Sequence, residues 1–212
     1  VLHHPVKPTA SGRAPAFMVL HGFGGSKNGT GSITTAQQLA ERGYAALRID
    51  FRGCGESGGE RGLVLCLDQV SDVRNGLTYL QRRDDIDAAH LGVIGASFGG
   101  AVAVYTGGVD ERIRATVSIG GWGNGERKFR RQHASPEAWA KFSTMLEEGA
   151  RRAARGERMM VDRFDIVPIP PRLRNNLTSE AHARFPWEVV QSMVNFRADD
   201  VVGQIAPRPL LL

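Results

Sequence analysis

Gly95-Ala96-Ser97-Phe98-Gly99-Gly100 decides how this chain is read. The stretch lies between an apolar run, Leu91-Gly92-Val93-Ile94, and a run of small residues that starts at Ala101. A strand that turns sharply into a helix holds the residue at the turn in a strained conformation. Small residues two before and two after it let the neighbouring chain pass. The helix that begins there adds unbonded backbone N–H groups and the positive end of its dipole. Gly-x-Ser-x-Gly alone is common, and a glycine-rich turn with an incidental serine has the same letters. The strand–turn–helix context makes the pattern specific and gives it the form of a nucleophile elbow.

Working outward, strand and helix signals alternate. Ala16-Phe17-Met18-Val19-Leu20 is continuously apolar, as a strand buried on both faces must be. Ser32 is expected to cap a helix to Arg42 with Ile33, Ala36, Leu39 and Ala40 on one face and Gly43 as its stop. Residues 44–49 read as the next strand. A longer helix is expected from the recurrence of Leu63, Leu67, Val70, Val73, Leu77 and Leu80 at three- and four-residue steps. Residues 82–87 form a charged turn, with Asp84, Asp85 and Asp87 solvated, and 90–94 are the strand that feeds the elbow. The helix over 101–107 and a strand over 113–119 complete a repeated βα pattern. It predicts an α/β fold: a doubly wound, mostly parallel sheet with right-handed crossovers.

The alternation stops at Trp122. From there to Asp200 arginine, tryptophan and proline accumulate, with Pro168, Pro170 and Pro171 as breaks. Ser135-Pro136 reads as an N-cap followed by proline at the first helical position. Trp139, Phe142, Leu146, Ala150 and Ala153 form the expected apolar face of that helix, and Ser179 is a candidate cap for another. Six aromatics from Trp139 to Phe196 favour a folded helical cap over a disordered linker. Pro207 to Leu212 reads as the start of another buried strand. The expected organisation is therefore residues 1–121 as core, 122–200 as cap or lid, and 201–212 as the next core strand. The core would continue past Leu212, so that this chain lacks the C-terminal strands.

Composition sets limits. The chain has 212 residues, 42% hydrophobic and 23% charged, with a formal net charge of +5. Nothing approaches the roughly 20 apolar residues of a membrane-spanning helix, and residues 1–8 lack a signal-peptide pattern. Cys54 and Cys66 fit neither a Cys-x-x-Cys pair nor a zinc site and read as free thiols in a reducing cytoplasm. No metal or organic cofactor is implied, and the oligomeric state is not legible. Eight basic residues, Arg127, Lys128, Arg130, Arg131, Arg151, Arg152, Arg155 and Arg158, make the cap region basic. Its aromatics fall on the apolar helix face, which argues against nucleic acid and for a solvated surface. The other reading is an arginine that reaches inward to a substrate carboxylate.

Two further motifs stand in order before the elbow. His21-Gly22-Phe23-Gly24-Gly25-Ser26 follows the first apolar strand, and Asp50-Phe51-Arg52-Gly53-Cys54-Gly55-Glu56-Ser57 follows the second. With Gly-x-Ser-x-Gly-Gly the set resembles the α/β-hydrolase superfamily over residues 14–121. It is most similar to the branch of esterases and serine peptidases with dienelactone-hydrolase-like, Xaa-Pro dipeptidyl-peptidase-like and serine aminopeptidase-like members. The resemblance implies that Ser97 is a nucleophile forming an acyl-enzyme. It also implies an oxyanion hole from the backbone N–H groups of Phe23 and Phe98, with His21 a structural residue of the loop. Asp50 and Arg52 either orient that loop or form a local ion pair in a glycine-rich turn. Trp122 and Trp187 are candidate pocket walls, although core packing accounts for them equally well.

In this fold the triad runs Ser, then Asp or Glu, then His. The acid follows the strand after the cap and the histidine follows a later strand, so both are expected beyond Leu212. Within the chain His133, His182, Asp199 and Asp200 would need an unusual geometry to substitute. The expected function is a serine hydrolase that cleaves small carboxylic esters through Ser97, nearly inactive as these 212 residues alone. The alternatives are a serine peptidase of aminopeptidase or dipeptidyl-peptidase type, and a non-catalytic binding module on the same scaffold.

Overall fold

The computed structural model describes residues 1–7, 12–176 and 182–212, with residues 175 and 176 as backbone only. Ser179 lies outside the described residues. The core is a six-stranded sheet in the order β1-β3-β2-β4-β5-β8. These strands are β1 (Leu2–His3), β2 (Ala14–Leu20), β3 (Ala45–Arg48), β4 (Ile86–Ala96), β5 (Ile113–Ile119) and β8 (Leu210–Leu211). Every pairing is parallel except β1 with β3. β1 has only two residues, too few for a period-two signal, and was not expected from the sequence.

Register places Met18, Leu47 and Val93 in one row and Val19, Arg48 and Ile94 in the next. Alternate rows face opposite sides of the sheet, so each strand needs apolar residues in both. α1 (Thr30–Glu41) covers one face, with Ala36 and Leu39 against Val19, Ala46 and Ile94. α2 (Cys66–Gln81) and α3 (Phe98–Val109) pack in the main cluster on the other side with Met18, Leu47 and Val93. That is the doubly wound arrangement expected.

Three local expectations are corrected. α1 begins at Thr30 with Gly29 as its N-cap, because the Ile33 N–H already bonds the Gly29 carbonyl (3.0 Å), so Ser32 sits inside the first turn. α2 begins at Cys66 and buries Cys66, Gln69, Val70, Val73, Leu77 and Leu80. Leu63 precedes it in a turn, and Leu67 points to solvent at 58% exposure because the stripe is centred on Cys66 and Gln69. α5 (Pro136–Ala154) has the expected Ser135 cap and Pro136 start, but Ala150 and Ala153 are exposed and Gly149 is buried instead.

Past β5 come α4 (Gly125–Gln132), α5, then β6 (Met160–Asp162), α6 (Arg163–Ile166), β7 (Arg184–Pro186) and α7 (Trp187–Asn195). β6 and β7 form a small antiparallel sheet that the sequence reading did not anticipate. Val161, Ile166, Phe185, Val189, Val190 and Met193 from this stretch belong to the same buried cluster as the sheet strands. Phe185 stacks on Phe23 with ring centroids 4.2 Å apart, so the segment is anchored directly on the loop after β2. β8 runs parallel beside β5, pairing Leu210 with Thr116 and Leu211 with Val117.

Candidate active site

Ser97 stands at the carboxyl end of β4, between that strand and α3. Its φ is +52° and ψ is −113°, and among the described residues it is the only non-glycine residue with positive φ. Such a conformation costs of order 1–3 kcal/mol and persists only where the surroundings impose it. The surroundings are tight: the Ser97 N–H bonds the Ile119 carbonyl (2.8 Å), and the Ala101 N–H bonds the Ser97 carbonyl (3.1 Å). A Cβ on Gly95 would run into the Gly99 carbonyl, and one on Gly99 would meet the His21 oxygen at 2.5 Å and the Leu20 oxygen at 2.6 Å. The glycines two before and two after Ser97 are thus demanded by backbone contact. The Ser97 side chain is exposed, while Phe98 is buried beneath it.

The two expected N–H donors belong to elements that meet at the serine, with Phe98 following it in the chain and Phe23 lining the same cavity. Phe98 is the first residue of α3, so its N–H has no carbonyl one turn back to bond. Phe23 lies in the His21–Ser26 loop, which closes by a Gly25 N–H bond to the Gly22 carbonyl (3.1 Å). Gly22 brings this loop against the elbow: a Cβ there would lie 3.8 Å from that of Ser97. Phe23, Phe98, Phe185 and Trp122 form a chain of ring contacts under this rim.

His21 is buried, with Nδ1 2.9 Å from the Gly22 carbonyl and Nε2 accepting from the Phe51 N–H at 3.2 Å. The acceptor role of Nε2 assigns the proton to Nδ1. Burial lowers its pKa, outweighing the Gly22 bond and the Asp50 charge, so the ring is neutral. Both nitrogens are engaged away from Ser97, as the loop reading of this residue expected.

Asp50 and Arg52 do not pair with each other. The Asp50 carboxylate, with 2% of its side chain exposed, accepts from the Lys27 N–H (2.6 Å), the Lys27 ammonium (2.6 Å) and the Glu56 N–H (3.0 Å). Burial pushes this carboxyl up, but the Lys27 and Glu56 bonds together hold it below its ordinary value. Arg52 instead clasps Asp72 of α2 through Nε (2.9 Å) and Nη2 (2.6 Å). Asp50 therefore ties the end of the His21–Lys27 loop to the turn after β3, and the local ion-pair reading is corrected.

Sequence reasoning missed Arg163, at the start of α6. Its guanidinium is buried and donates to the Phe23 carbonyl (2.6 Å) and the His182 carbonyl (3.2 Å). It also lies 5.3 Å from the Phe23 ring centroid and 5.8 Å from that of Phe185. Burial lowers its pKa. No local pattern signals this role, because its partner Phe23 is 140 positions earlier.

The remaining candidates separate. Trp122 lines a cavity at Ser97. Trp187 packs instead on Gly149 of α5, where a Cβ would collide with its indole, and it does not line the cavities that contain Ser97. Both ring nitrogens of His133 face backbone carbonyls, of Phe129 (3.1 Å) and Asp165 (3.2 Å), and His182 Nε2 faces the Gly53 carbonyl (2.9 Å). Asp199 lines the Trp122 cavity but pairs with Arg127 at 3.0 Å, while Asp200 is exposed. Among the described residues no histidine hydrogen-bonds to Ser97. Cys54 and Cys66 are free and buried, which pushes both thiols up to about 12. Of the basic residues, Arg151 and Arg152 pair with Glu148, Arg155 with Glu157 and Arg158 with Glu60.

A mostly parallel sheet flanked by helices, with a serine at positive φ on the central strand's end and a glycine-rich loop beside it, defines the α/β-hydrolase class. A family model described as serine aminopeptidase, S33, matches residues 13–166, and the chain belongs to that family of hydrolases. A 31.7 kDa protein of the traX-finO intergenic region of Escherichia coli is 27% identical over 154 residues, covering 73% of this chain and 54% of that protein. A thiohydrolase of Eupenicillium brefeldianum is 32% identical over 111 residues, 52% of this chain and 36% of its own length. The chain thus spans about half the length, or less, of these curated relatives. The crystal structure of the α/β hydrolase GrgF from Penicillium sp. sh18 superposes with a TM-score of 0.75 at 19% identity, covering 99% of this chain and 72% of that one. No helix among the described residues is long and apolar enough to cross a membrane.

Proposed function

We propose that this chain carries the nucleophile and oxyanion hole of a serine hydrolase acting on small carboxylic esters. The observation that carries the reading is Ser97 at φ +52°, exposed at the start of α3 beside the glycine-rich loop. In this reading Ser97 Oγ attacks the ester carbonyl, and the carbonyl oxygen takes up negative charge as the tetrahedral intermediate forms. The N–H groups of Phe98 and Phe23 stabilise that charge, and loss of one such donor costs about 3–4 kcal/mol. Collapse expels the alcohol and leaves an acyl-serine, which water then hydrolyses.

Attack requires a base to take the serine proton and an acid to orient that base. His21, His133 and His182 are committed to backbone groups. We assign both partners to chain beyond Leu212. In support, β8 runs parallel to β5, whose carboxyl end at Ile119 bonds the Ser97 N–H, so β8 leads toward the same rim. Residues 122–200 act as the cap, and the buried free thiols fit a cytoplasmic setting.

The family description supports a second reading, hydrolysis of an amide at a peptide N-terminus. Turnover of short-chain aryl esters against aminoacyl arylamides by the full-length protein decides between them. The ester reading expects preferred ester turnover, with a trapped acyl group on Ser97 and loss of both in Ser97→Ala. Preferred arylamide turnover supports the peptidase. Absence of any acyl-enzyme overturns both and leaves a binding module.

A further inference from the structure

Ser97 stands between two cavities, and the one toward α4 holds cations that ester cleavage by itself does not use. This cavity, of about 440 Å³, is lined by Ser97, Trp122, Arg127, Lys128, Arg131 and Asp199 among others. Arg127 is neutralised by Asp199 at 3.0 Å. Lys128 and Arg131, three positions apart on α4 and so neighbours on one helix face, have no carboxylate partner among the described residues. The Lys128 ammonium rests over the Phe129 ring (3.8 Å to the centroid) and the Trp122 ring (4.6 Å), and donates to Gln132 Oε1 at 2.8 Å.

A half-buried ammonium held only by ring faces and one neutral amide is incompletely compensated, because removing charge from water is costly unless a counter-charge replaces it. Ring faces recover only part of that cost. The same burial pushes the Lys128 pKa from its ordinary value of 10.5 down to about 7. An incoming carboxylate supplies the missing partner. Arg131 adds a planar fork that matches a carboxylate's two oxygens, and it is an exposed residue of the cavity lining.

We infer that this cavity is a subsite for a carboxylate carried by the substrate, held by Lys128 and Arg131 while the scissile carbonyl lies at Ser97. The substrate class is then an ester with a free carboxylate on one side, of which the half-ester of a short dicarboxylic acid is the simplest member. The inference rests on Ser97 as the reacting group, and Trp122 becomes the wall shared by the anion and the ester. The arginine expected to reach toward a substrate carboxylate is thus assigned to Arg131, with Lys128 as its partner.

Binding of monomethyl glutarate and of neutral dimethyl glutarate to the Ser97→Ala chain, measured by calorimetry, tests this without turnover. The half-ester is expected to bind about tenfold or more tightly than the diester, since it gains a charge-assisted contact that the diester lacks. Lys128→Gln should weaken half-ester binding by about tenfold and leave the diester unchanged. Arg131→Gln, at an exposed position, should weaken the half-ester alone and decides the matter if Lys128→Gln does not fold. Equal binding of the two esters, unchanged half-ester affinity in a folded variant, or no half-ester binding at millimolar concentration overturns the inference. A subsite that binds while Ser97 forms no acyl-enzyme in the full-length protein would overturn the nucleophile reading and leave the anion site standing.

Discussion

Replacing Arg163 by methionine removes the guanidinium that joins α6 to the loop after β2, while keeping most of the side chain's apolar volume. Two charge-assisted bonds are lost, to the Phe23 carbonyl (2.6 Å) and the His182 carbonyl (3.2 Å). A buried carbonyl left without a partner costs about 1–3 kcal/mol, and each ring contact with Phe23 and Phe185 adds about 0.5–1 kcal/mol. Relief of the guanidinium's own burial, including its Nε without a partner, offsets part of this. The net loss is about 2–4 kcal/mol, a large share of the 5–15 kcal/mol that typically holds a domain folded. Urea unfolding should show the midpoint shift. Because the Phe23 carbonyl belongs to the same loop as its N–H, the proposed oxyanion donor should also loosen. Fluorophosphonate labelling of Ser97 in the full-length protein should slow about tenfold, equivalent to roughly 1.4 kcal/mol of transition-state stabilisation. Arg163→Lys keeps the charge but not the fork and should fall between. A variant that unfolds and labels like the parent would show that the loop holds itself.

Asp50→Asn should cost about 1.5–3 kcal/mol at neutral pH, the usual worth of a hydrogen-bonded charge, and not the full loss of a broken buried pair, because the Lys27 ammonium keeps Glu56 as a partner. Since the folded pKa of Asp50 lies below its ordinary value, its contribution is complete above the carboxylate range and is lost as pH falls through the folded pKa. Urea midpoints followed down from pH 6 should therefore fall less steeply in Asp50→Asn than in the parent. Gly99→Ala should destabilise by at least about 1–3 kcal/mol, because its methyl meets fixed backbone oxygens at 2.5 and 2.6 Å, and calorimetric melting would detect it. Ser97→Gly should raise stability by about 1 kcal/mol, as release of 1–3 kcal/mol of strain exceeds glycine's entropic cost. An unchanged melting temperature in Ser97→Gly would argue against a strained turn.

The elbow was legible because its causes are local: an apolar strand, a small-residue helix and two glycines whose added methyls would strike backbone. Ser135-Pro136 was legible for the same reason, and the Ser135 hydroxyl accepts the Ala138 N–H as expected (3.1 Å). Helix faces were legible only where large aliphatic residues marked them. Leu67 misled because Cys66 and Gln69 occupy the buried stripe, while alanines such as Ala150 and Ala153 carry too little hydrophobic signal to define a face. The pairing of Asp50 with Lys27, 23 positions away, could not be read when Arg52 stood two positions from it. Arg163 and Lys128 were the hardest to see. A basic residue in an arginine-rich segment looks solvated until the fold places aromatic rings around it.

The central claim is that Ser97 is a nucleophile poised over two backbone donors. Treating the full-length protein with a fluorophosphonate and mapping the adduct by peptide mass spectrometry tests it most directly. The account predicts one adduct, on Ser97, absent from Ser97→Ala and formed slowly or not at all by residues 1–212 alone. An adduct on another serine, or none in a folded full-length protein, would contradict it.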